Sequence, residues 1–121
     1  MDNLIRVIAR DGSVMCCAVD STKIAGEAER IHKTSATVTA ALGRLLTAGA
    51  MMGSMLKNPE DSVTLRLSGG GPAGKFTVVA DGAGMVKGDV ENPIVEIPLN
   101  NYGKLDVAGA VGKDGSLTVI R

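Results

Sequence analysis

The chain has 121 residues, and its 13 acidic and 13 basic side chains cancel without forming a long block of either sign. That length suits one domain with a real core, and the charge balance argues against binding driven by nucleic acid or an anionic membrane surface. Only Phe76 and Tyr102 are aromatic, so bases would find no stacking platform. Sixteen glycines imply many turns, but the apolar content is too high for disorder. Two cysteines cannot make a disulfide framework, so a reducing cytoplasm is the expected location. No apolar leader opens the chain, because Asp2, Arg6 and Arg10 punctuate its first segment.

Asn3 to Ala9 and Val14 to Val19 read as two strands around an Asp11-Gly12 turn. Asp20 or Ser21 can cap a helix whose apolar stripe is Ile24, Ala28 and Ile31, with Lys23, Glu27, Glu29 and Arg30 facing water. A long helix follows over Ser35–Leu56, ended by Lys57-Asn58-Pro59. Leu42, Leu46, Gly49 and Gly53 share one side of it; Val38, Leu45, Met52 and Leu56 share another. From Leu45 onward it is apolar nearly all round, so protein must enclose it on more than one side. Protein rather than lipid is the expected enclosure, since that run falls well short of the ~20 residues needed to span a bilayer. The small residues would let sheets approach it closely.

The remainder is rich in strands. Val63–Ser68, Phe76–Ala80, Met85–Val90, Ile94–Leu99 and Leu117–Ile120 are the expected ones, with Pro98 marking an edge or irregular end. Leu105–Val111 is a candidate short helix. Because the pattern stops inside a strand, the expectation is a fragment of something longer. The fold class expected is α+β: sheets packed around a long buried apolar helix, with strands open to completion by a second chain.

Four groups invite a chemical reading. Cys16-Cys17 are adjacent, with Cα atoms ~3.8 Å apart, tighter than ordinary disulfide geometry. On a strand they point to opposite faces, and zinc would need more ligands than His32 adds, which favours packing. His32 is the lone histidine, and no nucleophile-elbow pattern accompanies it; a helix C-terminus or solvent is its simpler setting. Ser68-Gly-Gly-Gly-Pro72 could turn backbone N–H groups towards a phosphate, but no Lys-Ser/Thr pair follows, and a strand rather than a helix comes next. Met51, Met52 and Met55 could form an adaptable contact surface, although burial in the core helix is the simpler reading. No catalytic, cofactor-binding or metal residue emerges from spacing.

Three blocks of the sequence, Thr34–Lys57, Leu67–Pro93 and Lys104–Arg121, resemble the heat-shock protein 33 family of bacteria, the redox-regulated chaperonin. The resemblance implies an ATP-independent holdase, not an enzyme, that shields unfolding or oxidatively damaged client proteins from aggregation. It implies a large N-terminal domain, a linker, and a C-terminal domain whose C-x-C and C-x-x-C thiolates hold zinc until oxidation releases it and the active form dimerises. Residues 1–121 would then be a single domain, the first part of that N-terminal region, without linker or zinc switch. Cys16 and Cys17 match neither cysteine pair, so no cofactor is expected in this chain and zinc only in the absent C-terminal part. Clients and a homodimer or higher oligomer are the expected partners, with neither nucleic acid nor membrane. The client-binding residues stay unassigned. Two rivals remain: a small-ligand enzyme using the Gly-rich connection as an anion site, and a structural dimerisation module whose open sheet edge pairs with another chain.

Overall fold

The computed structural model describes residues 2–121. Two strands, β1 (Leu4–Ile8) and β2 (Met15–Val19), pair antiparallel as a hairpin that forms its own sheet. Its loop is longer than the Asp11-Gly12 pair: Ala9 N donates to Val14 O and Gly12 N to Ala9 O, with Gly12 at φ 77°. Next come α1 (Thr22–His32) and α2 (Ala36–Gly53). The second sheet contains β3 (Ser62–Ser68), β4 (Lys75–Asp81), β5 (Val86–Val90) and β6 (Ser116–Ile120), and α3 (Val107–Val111) precedes the last strand. Its order is β5-β4-β3-β6, and every pair is antiparallel.

Alternation builds one buried face on that sheet. Val63 lies opposite Ala80 and Leu65 opposite Val78, all buried, while Arg66 faces out. Against this face α2 lays Val38, Leu42, Leu45 and Leu46. Leu65, Phe76 and Val78 have no exposed surface. Burial of each such side chain is worth roughly 1.5–3 kcal/mol, which makes this layer the main stabilising contact.

The close approach of helix and sheet depends on glycine. A Cβ on Gly49 would stand 2.6 Å from Val78 Cγ1, and one on Gly53 2.8 Å from Asp81 O. Across the layer, a Cβ on Gly88 of β5 would stand 2.8 Å from Leu46 Cδ2. Missing side chains let the two backbones settle closer than an alanine would permit.

The expected elements form, with three differences. The long helix ends at Gly53 rather than at Leu56: Ser54 Oγ donates to Met51 O, and the next two amides bond three residues back, to Met52 O and Gly53 O. The last turn tightens before proline can act. Enclosure of its second half is also uneven. Leu45, Leu46, Gly49 and Gly53 are buried, Met51 and Met52 half-buried, and Met55 is 50% exposed.

Ile94–Leu99 is not a strand. Pro93 and Pro98 lack the N–H that a ladder requires. The segment is instead pinned to the start of α2. Ser35 N donates to Pro93 O at 2.9 Å, and Val95 N donates to Ser35 Oγ at 3.0 Å. The apolar alternation there records Val95 sinking into the core, not sheet pairing.

Candidate functional site

Helix α1 has the Ile24, Ala28 and Ile31 stripe expected of it, yet none of its residues is fully buried. Its anchors are polar and remote. Asp2 accepts hydrogen bonds from Lys23 N (3.1 Å) and Ile24 N (2.8 Å), satisfying free amides of the first turn. Ser21 is the N-cap residue, but its hydroxyl pairs with Thr47 Oγ1 of α2 at 2.5 Å instead of capping. Asp20 accepts from Thr22 N and Oγ1, and those bonds hold its carboxyl below the ordinary value of 3.8. At the other end Lys33 adopts φ 53° and closes the helix through Glu29 O.

Because α1 rests on α2 beside the sheet, a cleft of about 720 Å³ opens between α1 and β5. Its walls are Ile24, Ala28 and Ile31 on one side and Val86 and Gly88 on the other, over Leu46. His32 reaches across it, with Nδ1 3.7 Å from Asp89 Oδ1. An open apolar cleft with polar groups on the rim is the form taken by most binding sites. A second hollow, of about 770 Å³, lies between α2 and residues 99–108 and contains Arg44 and Lys104.

Apolar side chains also face solvent in quantity. On the first hairpin Ile5 (61% exposed), Val7 (58%) and Ile8 (62%) lie open, and both faces of β1 contribute. On β6, Leu117 and Val119 continue the inner face of the sheet past the cover of α2 and stay exposed. Only singly scattered apolar residues are ordinary on a surface; contiguous ones mark interaction sites.

The groups singled out in sequence do not converge. Cys16 is exposed and Cys17 half-buried on β2, opposite Val7 and Arg6, and neither is bonded to the other. Among the described residues, no three His, Cys, Asp or Glu side chains come together as metal ligands. The two thiols point to opposite faces of a strand, so they do not fit a tetrahedral zinc site. In the glycine run, Gly71 N donates to Val111 O and Ala73 N to Ala110 O, both at 3.0 Å. Those two amides are spent on the end of α3 and do not face a ligand. Met52 and Met55 edge a small hollow of about 220 Å³ with Leu56, Val63 and Arg121. The cleft itself was not visible in sequence. Its one signal was a stripe of apolar residues on α1 with nothing assigned to cover it.

A family model described as Hsp33 protein matches residues 2–121. The chain belongs to the Hsp33 family. Among curated relatives, the 33 kDa chaperonin of Clostridium tetani is 48% identical over 120 residues, 99% of this chain and 41% of the relative. That of Clostridium perfringens is 50% identical over 121 residues, 99% of this chain and 38% of the relative. The α+β fold is that of the family as well. A crystal structure of the 33 kDa chaperonin, heat shock protein 33 homolog, from Thermotoga maritima superimposes with a TM-score of 0.84 at 30% identity, covering 97% of this chain and 44% of that one. This Hsp33 chain therefore spans about two fifths of the length of the relatives it matches. No helix among its described residues is long and apolar enough to cross a membrane.

Proposed function

We propose that this chain is part of a molecular chaperone of the holdase type, binding non-native proteins through exposed apolar surface without ATP and without catalysis. The observation that carries the reading is the contiguous apolar exposure of the first hairpin and of β6 on a chain whose core is otherwise well formed. Relatives named chaperonins support it. In this proposal residues 1–121 form a single domain, the first part of a larger client-binding region. Redox control belongs to a zinc-bound cysteine switch elsewhere in a full-length protein, as the family resemblance implies, and a dimer or higher oligomer in the cytoplasm is the working form.

The test is co-elution. A thermolabile client enzyme is heated with the chain in the absence of nucleotide and passed over a sizing column. The reading expects a soluble complex with the heated client and none with the native one. Failure to retain the heated client at severalfold molar excess of chain would overturn it.

A further inference from the structure

The sequence holds three Asp-Gly pairs: Asp11-Gly12, Asp81-Gly82 and Asp114-Gly115. In such a pair the glycine nitrogen can attack the aspartyl side-chain carbon, because no Cβ on the glycine blocks the approach. The reaction needs a carboxyl group and an amide that are both free of other partners.

Two of the pairs are tied down at both groups. Asp11 Oδ1 accepts from Ser13 Oγ (2.7 Å) and Ser13 N (3.0 Å), and Gly12 N donates to Ala9 O (2.8 Å). The Ser13 hydroxyl, with the Ser13 amide behind it, also holds the Asp11 carboxyl below its ordinary value of 3.8, so the reactive protonated acid is scarcer. Asp81 Oδ1 accepts from Ala83 N (3.0 Å) and Met85 N (2.9 Å), and Gly82 N donates to Asp61 O (3.0 Å). Each of these carboxylates is spent on holding its own turn.

Asp114-Gly115 differs at both groups. The two residues are exposed. Among the described residues the Asp114 carboxylate takes no hydrogen bond or ion pair, and Gly115 N finds no acceptor. The pair stands immediately ahead of β6, whose first residue, Ser116, lies opposite Ser68 of β3. There is no spare room at that point, since a Cβ on Gly115 would overlap Ser68 O.

We propose that Asp114-Gly115 is a site of spontaneous isoaspartate formation in the folded protein, and that the change loosens β6 from β3. Gly115 N attacks Cγ of the protonated Asp114 side chain. An N–Cγ bond forms, a Cγ–O bond breaks, and the departing hydroxyl leaves as water with the amide proton. Water then opens the succinimide ring at one of its two carbonyls. Opening at Cγ restores aspartate. Opening at the main-chain carbonyl leaves the backbone running through Cγ, one methylene longer, with the carboxylate on Cα. No oxidant or metal takes part. The added methylene falls where Gly115 already meets β3, so β6 loses its register. β6 covers one edge of β3, and its release gives older molecules an additional open strand edge.

The experiment ages the 121-residue chain for weeks at neutral pH and physiological temperature, folded in buffer or unfolded in concentrated urea. Trypsin, cutting after Arg10, Lys75 and Lys113, places the three pairs on separate peptides. Chromatography against synthetic peptides of both linkages then measures isoaspartate at each. In the folded chain it should accumulate about tenfold faster at Asp114 than at Asp11 or Asp81, where hydrogen bonds must first be broken. In urea the three rates should converge. Asp114→Glu, at an exposed position, should remove the product at that site, because closing the larger ring is much slower. Ser13→Ala should raise the rate at Asp11 in the folded chain and leave it unchanged in urea. Amide exchange across Ser116–Ile120 should be faster in the isoaspartyl form than in fresh protein.

Equal rates at the three pairs in the folded chain would overturn the proposal. So would a lead at Asp114 that persists undiminished in urea, because local sequence would then set the rate. Isoaspartate at residue 114 with exchange across β6 unchanged would refute the loosening.

Discussion

Glycine at two positions of the helices does opposite things, and substitution separates them. Gly53 ends α2 against the β4 backbone, where a Cβ would meet Asp81 O at 2.8 Å and Ala80 Cβ at 3.0 Å. A carbonyl in a sheet cannot swing aside, so Gly53→Ala should destabilise by about 1–3 kcal/mol, the usual cost of overpacking. Gly26 sits mid-helix in α1 with nothing within 4 Å of its missing Cβ. Gly26→Ala should stabilise by roughly 0.5–1 kcal/mol through the ordinary helix preference. Urea midpoints of the two variants should move in opposite directions from the parent. Movement of both the same way would show that the α2–β4 approach is looser than described.

At the scale of elements, α1 is held by a half-buried face and by one remote side chain: none of its residues is fully buried, and its first turn is satisfied by Asp2. Asp2→Ala should cost about 0.5–2 kcal/mol, as loss of a cap does. Amide exchange should speed up first at Lys23 and Ile24; protection unchanged at those amides would contradict the capping role. The same contact explains what the sequence could and could not reveal. Strands β3, β4 and β5 were legible because one buried face forces a two-residue period. The long helix was legible because its apolar pattern had no polar side. Asp2 was not, since a cap 21 residues away leaves no local pattern, and Ser21, the local candidate, turns its hydroxyl to Thr47. Ile94–Leu99 carried a strand pattern for a different reason: one-sided burial under Ser35 produces the same alternation as a ladder. The cleft, like any concavity, arises from how two elements stack, and no single segment encodes it.

For the whole molecule, the open questions concern association and control. Both faces of the hairpin and the edge of β6 are apolar and uncovered. Self-association should therefore rise with concentration, and light scattering from micromolar to millimolar should give masses above the monomer. A constant monomer mass over that range would refute it. Control should be absent from these residues. Cys16 and Cys17 face opposite ways on β2, where a mutual disulfide is geometrically costly. The measurement that bears most directly on the account is suppression of heat-induced client aggregation, run on dithiothreitol-reduced and peroxide-treated chain, and again with both cysteines replaced by serine. The account predicts suppression of equal size in all arms, without nucleotide. No suppression in any arm, or a large peroxide-dependent gain that vanishes with the serines, would contradict it.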